Sequence, residues 1–338
     1  MIAKQRQVNM RRSGFTLIEL LVAVGIIVLL IAIALPVLSL VKKKSQESDS
    51  RAQLMAIRAS VEGYFNLFRA YPGPMLEERL TRDMGWTAPQ NLSLGLLGSI
   101  QTGDREFNNQ PQLSPRINWG GSQYARVPLP VYPGQEYRAY ATEEPRGVYD
   151  LADGVQHAPF YSPRKSELRV AQGLATPSNP WPNTSTTAHT AIPVLFDRFG
   201  DALPILYFRR DTTFVTPVVA DTYITPGVGA GAAYYRLSNA AFVNSTTLQA
   251  SSGTVCSQAT SGYNTANIST AVTAPFSTHL EEAMTDLTSD FSTPATRKPR
   301  NMFVLISAGL DRVYGPRIEG GQKVAESDDI VVVGGGGS

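Results

Sequence analysis

Few residues in this chain combine a reactive type with a spacing that could do chemistry. Glu19 is the one acid in an otherwise uncharged run from Phe15 to Val41. An ionisable group at membrane depth costs a few kcal/mol or more and survives where a partner neutralises it. Near the start of the run it can also reach an interface and cost little. Two readings therefore stand: an interfacial acid, or half of an ion pair whose positive group belongs to another chain. Elsewhere the reactive types are scattered. His157, His189 and His279 are far apart and show none of the short spacings of zinc sites. Cys256 is the single cysteine, so it closes no intrachain disulfide, and its Ser/Thr-rich surroundings offer nothing to activate a thiol. There is no zinc-binding His-Glu pattern, nucleophile elbow or phosphate loop. The glycines of "GVGAGAA" (227–233) are wrongly spaced for a dinucleotide fold, and no Ser, His and Asp spacing selects a triad. No enzyme is expected.

The elements that position Glu19 come next. Residues 15–41 at a helical rise of about 1.5 Å each give about 40 Å, more than the roughly 30 Å of a hydrocarbon core. The run is too long for the apolar core of a cleaved secretory signal, and "LPVLSLVKKK" gives no small-residue exit from it. Lys4, Arg6, Arg11 and Arg12 precede the run and Lys42, Lys43 and Lys44 follow it, so the charge bias favours a cytoplasmic N-terminus by a small margin. Pro36 removes one backbone donor and should kink or loosen the helix locally. Over all 338 residues, 30 Lys plus Arg against 28 Asp plus Glu give a net charge of +2. That balance makes no electrostatic case for nucleic acid as a partner. The length suits one large or two modest domains.

The stretch "RRSGFTLIELLVAVGIIVLLIAIALP" closely resembles the N-terminal signature of type IV pilins and type II secretion pseudopilins. In that family a basic leader ends in Gly, Phe usually follows, and a Glu and a Pro stand at fixed offsets. Counting from Phe15 as the first mature residue, Glu19 is fifth and Pro36 twenty-second, so both offsets match. The resemblance implies cleavage between Gly14 and Phe15 by a prepilin peptidase and methylation of the new Phe15 amine. It further implies that Glu19 pairs with that amine on a neighbouring subunit as helices stack into a filament. An unpaired carboxylate in an apolar bundle is expensive, so such a pair rewards one axial register.

Beyond the run, Leu54, Ile57, Val61, Tyr64, Phe65 and Phe68 recur in steps of three and four, one stripe of a helix over 42–70. "YPGP" (71–74) ends it, since Pro72 disfavours helical geometry at Tyr71. Residues 75–190 are rich in Pro and turns and are expected to be mostly loop with short helix or strand pieces. "AIPVLFDRFGDALPILYFRRD" (191–211) has two apolar segments spaced for an antiparallel hairpin. Through Asp197, Phe199, Gly200, Pro204 and Tyr207 it is similar to a segment of major pseudopilins, with one extra residue before the proline. Residues 243–297, rich in Ser, Thr, Ala and Asn, read as a long exposed loop or partly disordered insertion, with "THLEEAMTDL" (278–287) as a short helix. The stretches 301–316 and 326–335 are expected to carry strands; "GGGGS" is left out of the fold reasoning. Several pseudopilins end similarly, in a strand, a loop and an acidic pair before a last strand, and that loop often binds calcium. The resemblance makes Asp311, Asp328 and Asp329, with Ser307, the candidate ligands, and calcium favours such a set of oxygens from a flexible loop.

The fold expected is α+β and pilin-like: leader 1–14, membrane or filament-core helix 15–41, amphipathic continuation 42–70, and a globular part 71–338 with an antiparallel sheet and insertions at 75–190 and 243–297. The function expected is a structural subunit of a pilus-like filament or secretion pseudopilus. It would be anchored in a bacterial inner membrane by a single pass, with its N-terminus cytoplasmic, and later lie in a periplasmic or extracellular filament. Its partners would be prepilin peptidase, like subunits, an inner-membrane assembly platform and membrane lipid. The alternative is an extracytoplasmic enzyme or carbohydrate-binding module on an uncleaved signal anchor.

Overall fold

The computed structural model describes residues 17–73, 87–97, 100–102, 116–118, 124–126, 137–139, 148–150, 155–164, 166–174, 193–211, 223–224, 233–235, 239–264, 302–320 and 322–335. It divides into two units, residues 1–45 and 46–338, which are described separately. One helix, α1 (Leu17–Phe68), contributes to both. In the first unit its large apolar side chains from Leu17 to Val41 are 50–81% exposed. Pro36 does not end the helix. Its missing donor leaves the Ala32 carbonyl without that bond, and the Ser39 hydroxyl donates to the Pro36 carbonyl at 2.7 Å.

In the second unit the stripe behaves as its spacing requires. Leu54, Ile57 and Val61 are fully buried, Tyr64 and Phe65 pack at the margin, and Arg51, Met55, Ala56 and Ala59 stay exposed. Arg69 turns left-handed (φ 53°) while its N–H still reaches the Phe65 carbonyl at 2.8 Å, a single-bond helix stop. Tyr71 then folds back into the core, 4.8 Å from the Phe65 ring and 5.7 Å from Phe303.

The elements that follow among the described residues are α2 (Ala88–Leu97), β1 (Ile100–Thr102), β2 (Arg116–Asn118), β3 (Tyr124–Arg126), β4 (Tyr137–Ala139), β5 (Val148–Asp150) and β6 (Val155–His157). Then come β7 (Leu168–Val170), β8 (Pro193–Leu195), β9 (Leu206–Asp211), β10 (Tyr223–Ile224), β11 (Ala233–Tyr235), α3 (Ala240–Val243), β12 (Phe303–Ser307), β13 (Arg317–Glu319), β14 (Gln322–Ala325) and β15 (Ile330–Gly334). A five-stranded antiparallel sheet in the order β10-β11-β9-β12-β15 forms the centre. A smaller sheet, β4-β1-β5-β6, contains one parallel pair, β1 with β5. The result is the α+β, pilin-like arrangement expected.

Strand alternation assigns the two faces of the central sheet. Tyr207, Phe303, Leu305, Ile330 and Val332 face the α1 stripe and α2. Leu206, Phe208, Val304 and Ile306 face a second cluster with Phe242, Leu248, Tyr263 and Tyr314. Because both faces are covered, β12 is buried at all five positions and reads as a continuous apolar run rather than an alternating one. At the strand end, Phe303 pairs with Gly334, where any Cβ would strike the phenyl ring.

Three expectations are sharpened or corrected here. All ten residues of α2 are buried, so the Pro-rich stretch contains a core helix. Thr87 caps it: its N–H and hydroxyl donate to Gln90 Oε1 at 2.9 and 3.0 Å, while the Gln90 N–H reaches Thr87 Oγ1 at 3.4 Å. The exposed-loop reading of 243–297 fails for 243–264, which covers the second face of the sheet; residues 265–297, including 278–287, lie outside the described residues. The 191–211 segment does reverse, with Asp197 N–H to the Leu203 carbonyl at 2.9 Å and Ile205 N–H to Leu195 at 2.8 Å. Its arms join different partners, β8 pairing with β7 and β9 with β11 and β12.

That reversal is clamped to α1. Gln53 Nε2 donates to the Phe196 carbonyl at 2.8 Å, and the Arg198 N–H to Ser50 Oγ at 3.2 Å. The Arg198 guanidinium reaches Asp49 at 2.8 Å and the buried Glu167 at 2.7 Å. Glu167 also accepts the Tyr161 hydroxyl at 2.8 Å, and burial with this acid pushes the phenol pKa up, so it stays a donor. Removing one member of a buried pair strands the other, at about 3–5 kcal/mol. Arg198 keeps the half-exposed Asp49, so Glu167→Ala is expected near the lower end, about 3 kcal/mol. Thermal melting of the full chain followed by near-ultraviolet circular dichroism should show a drop of roughly 10 °C, with Glu167→Gln losing less. An unchanged midpoint would mean the clamp contributes nothing.

Candidate functional site

Gly14 and Phe15 lie outside the described residues. Glu19 stands in the first turn of α1, where the helix dipole favours an acid. The helix is long and apolar enough to cross a membrane, and none of its most apolar window is covered by the rest of the chain. Lys42, Lys43 and Lys44 follow directly, all exposed. Glu19 and Pro36 thus share one unbroken helix, on a segment whose large apolar side chains are exposed among the described residues.

The acidic tail residues come together only in part. Asp328 Oδ2 accepts the N–H groups of Leu310 and Asp311 at 2.8 and 3.1 Å, Asp311 Oδ1 accepts Val313 N–H at 2.8 Å, and Asp329 Oδ2 accepts Gly315 N–H at 2.8 Å. The three carboxylates therefore fold the 310–315 loop onto the approach to β15. Gly309, with φ +63°, lies against the Asp328 carboxylate where a side chain would collide with it. Ser307 takes no part: fully buried, it donates to Asp197 Oδ2 at 2.7 Å. Burial, and then the proximity of Asp328, pushes Asp311 up to about 6. Burial pushes Asp329 up to about 8 against the Gly315 N–H and the Tyr263 hydroxyl, and its Oδ1 is buried without a hydrogen bond. Among the described residues no group of three or more His, Cys, Asp or Glu stands in metal-holding geometry. What fits calcium is the donor chemistry: hard carboxylate oxygens whose mutual repulsion a cation would relieve.

Asp197, known from the sequence only as part of a pattern, proves to be a buried hub. Its Oδ1 accepts N–H groups of Leu203 at 3.2 Å and Phe199 at 3.4 Å, and Arg312 approaches Oδ2 at 3.5 Å while lying 4.4 Å over the Phe199 ring. Burial pushes its pKa up to about 6. Sequence reasoning passed over Arg312, Gln53, Arg198 and Glu167; Arg198 alone joins Glu167, 31 residues away, to Asp49, 149 residues away. Among the residues weighed for catalysis, His157 packs edge-on to Phe68 at 5.4 Å, and burial raises the Cys256 thiol away from reactivity. His189, His279 and 227–232 lie outside the described residues.

A carboxyl whose folded pKa is raised contributes stability that is present below its unfolded value and lost as pH rises through the folded one. For Asp329 that window runs from 3.8 to about 8. The wild type should lose melting temperature between pH about 6 and about 8.5, and Asp329→Asn, which still accepts Gly315 N–H, should flatten that decline. Parallel pH profiles for the two proteins would contradict the burial of this acid.

Residues 9–35 match the family described as the prokaryotic N-terminal methylation motif. Over 105 residues the chain is 30% identical to the type IV major pilin protein PilA of Myxococcus xanthus (strain DK1622), an alignment covering 31% of this chain and 45% of that protein. The chain thus spans less than half the length of the curated relative it matches. No solved structure matches it significantly. The matched motif encloses Gly14, Phe15 and Glu19 and leads into the uncovered helix, which continues to the α+β unit. On these grounds the chain carries the N-terminal methylation motif and, over part of its length, resembles a type IV major pilin.

Proposed function

We propose that the chain is a structural subunit of a type IV pilus-like filament or type II secretion pseudopilus. Prepilin peptidase cuts between Gly14 and Phe15, the new amine is methylated, and Glu19 of one subunit pairs with the Phe15 amine of the next. The observation that carries this reading is the methylation motif over 9–35, whose described part, 17–35, lies on a helix with exposed apolar side chains. Such a surface needs apolar surroundings, first lipid under an inner-membrane assembly platform and then other copies of the same helix. The similarity to a type IV major pilin supports assembly with like subunits, and no catalytic step enters.

A second proposal concerns the tail. Calcium would be held through Asp311, Asp328 and Asp329, and would order the 310–315 loop; Ser307, committed to Asp197, is not among the ligands. Calcium competes there with protons, so its effect should grow with pH.

Intact-mass analysis of the membrane-bound protein should find a chain that begins at N-methylated Phe15. A chain beginning at Met1 would favour the anchored enzyme or binding module instead. Glu19→Ala should still be inserted and cut, yet the yield of sheared filament should fall at least about tenfold, given the cost of breaking a buried pair. Normal yield would remove the pairing mechanism. For the tail, calcium but not magnesium should raise the melting midpoint, chelator should reverse it, Asp328→Ala should abolish it and Ser307→Ala should keep it. A midpoint indifferent to calcium would end that proposal.

A further inference from the structure

We infer that Lys42 and Lys43, with Lys44, form a collar that binds the phosphate-bearing headgroups of anionic lipid in the leaflet away from the cytoplasm; this rests on the membrane-anchored reading above. The collar begins at the residue after Val41, with no spacer between the uncovered apolar surface and the charge. From Glu19 to Lys42 the helical rise of about 1.5 Å per residue gives about 35 Å, which spans a hydrocarbon core of about 30 Å. With Glu19 at one interface, Lys42 stands in the headgroup layer of the other. Their flexible stems can reach along the helix to place the ammonium groups there.

The arrangement around the helix chooses the occupant. Consecutive residues are about 100° apart, so three lysines cover about 200° of the circumference and cannot all face one protein neighbour. A headgroup layer surrounds the helix and meets every one of them. Among the described residues neither Lys42 nor Lys43 forms an ion pair, and Asp49, an acid a little further along the helix, is held by Arg198 at 2.8 Å and Arg164 at 3.5 Å. The positive-inside tendency depletes lysine on this side of a span, so three in succession there run against the usual distribution. Attraction to an anionic surface of about fivefold per lysine offsets that bias.

The test uses the full chain reconstituted in phosphatidylcholine vesicles containing spin-labelled phosphatidylglycerol or spin-labelled phosphatidylcholine, with the motionally restricted fraction read by electron paramagnetic resonance. The wild type should restrain phosphatidylglycerol several-fold more, K42Q/K43Q should lose most of that preference, and the leader variant K4Q/R6Q/R11Q/R12Q should keep the collar's share. Raised sodium chloride should weaken the preference, whereas inorganic phosphate at matched ionic strength should do no more. Specific displacement by phosphate would overturn the assignment in favour of a soluble anion. A preference that survives K42Q/K43Q and vanishes in the leader variant would overturn it in favour of the opposite leaflet. A preference unchanged by K42Q/K43Q, with fewer cross-links between copies, would assign the lysines to a second subunit and overturn it equally. Release of the chain by alkaline carbonate would instead sink the membrane reading itself.

Discussion

From Leu17 to Val41, Glu19 apart, α1 carries apolar side chains all round; from Gln46 onward it buries one stripe and leaves the other face wet. A helix that is hydrophobic all round must be surrounded by apolar matter, whereas an amphipathic one needs a single surface to lie on. The two halves thus impose different demands on one continuous backbone. Hydrogen bonds within the helix satisfy the backbone in either setting, which is why a helix can serve both. The acid at one end of the uncovered segment and the lysines at the other mark where it stops.

The amphipathic half is met by a sheet that is itself covered twice. Tyr207, Leu305 and Val332 line the side of the helix, and Phe208, Val304 and Ile306 line the side of the 239–264 segment. The sheet cannot expose either face, so the irregular segment is as necessary as the helix. Much of its packing relies on polar side chains that satisfy backbone groups. Asn239 bridges the Tyr207 backbone, and Gln258 accepts from the Tyr314 N–H while donating to the Arg312 carbonyl.

That reliance explains what could be read in advance. The offsets among Gly14, Phe15, Glu19 and Pro36 are local, and so is the spacing of Leu54, Ile57 and Val61, so both were visible in the sequence. The strands at 303–307 and 330–334 were visible as unbroken apolar runs, the first buried at every position and the second at alternate ones. By contrast, α2 has no polar face to give it a period, and a Ser/Thr-rich stretch looks the same whether its hydroxyls meet water or backbone. Ser307 illustrates the limit at one residue: its neighbours suggested a loop ligand, yet strand alternation turns it inward to Asp197. Glu167 gave no signal, because its neighbours Tyr161 and Arg164 form no pattern by themselves and Arg198, which completes the clamp, stands 31 residues away.

The place of β12 between β9 and β15 has a consequence for the order in which the fold can form. β9 is hydrogen-bonded to β12, β12 to β15, and the α1 stripe shares its cluster with Phe303, Leu305, Ile330 and Val332. If the chain crosses a membrane from its N-terminus, the helix arrives roughly 250 residues before the strands that complete its seat. Until then Leu54, Ile57 and Val61 are a bare apolar ridge beside an already lipid-seeking segment. Closing so long a loop is slow compared with forming the helix. The amphipathic half of α1 would therefore stay bare for the whole of that interval, which is set by how far β12 and β15 stand from it along the chain.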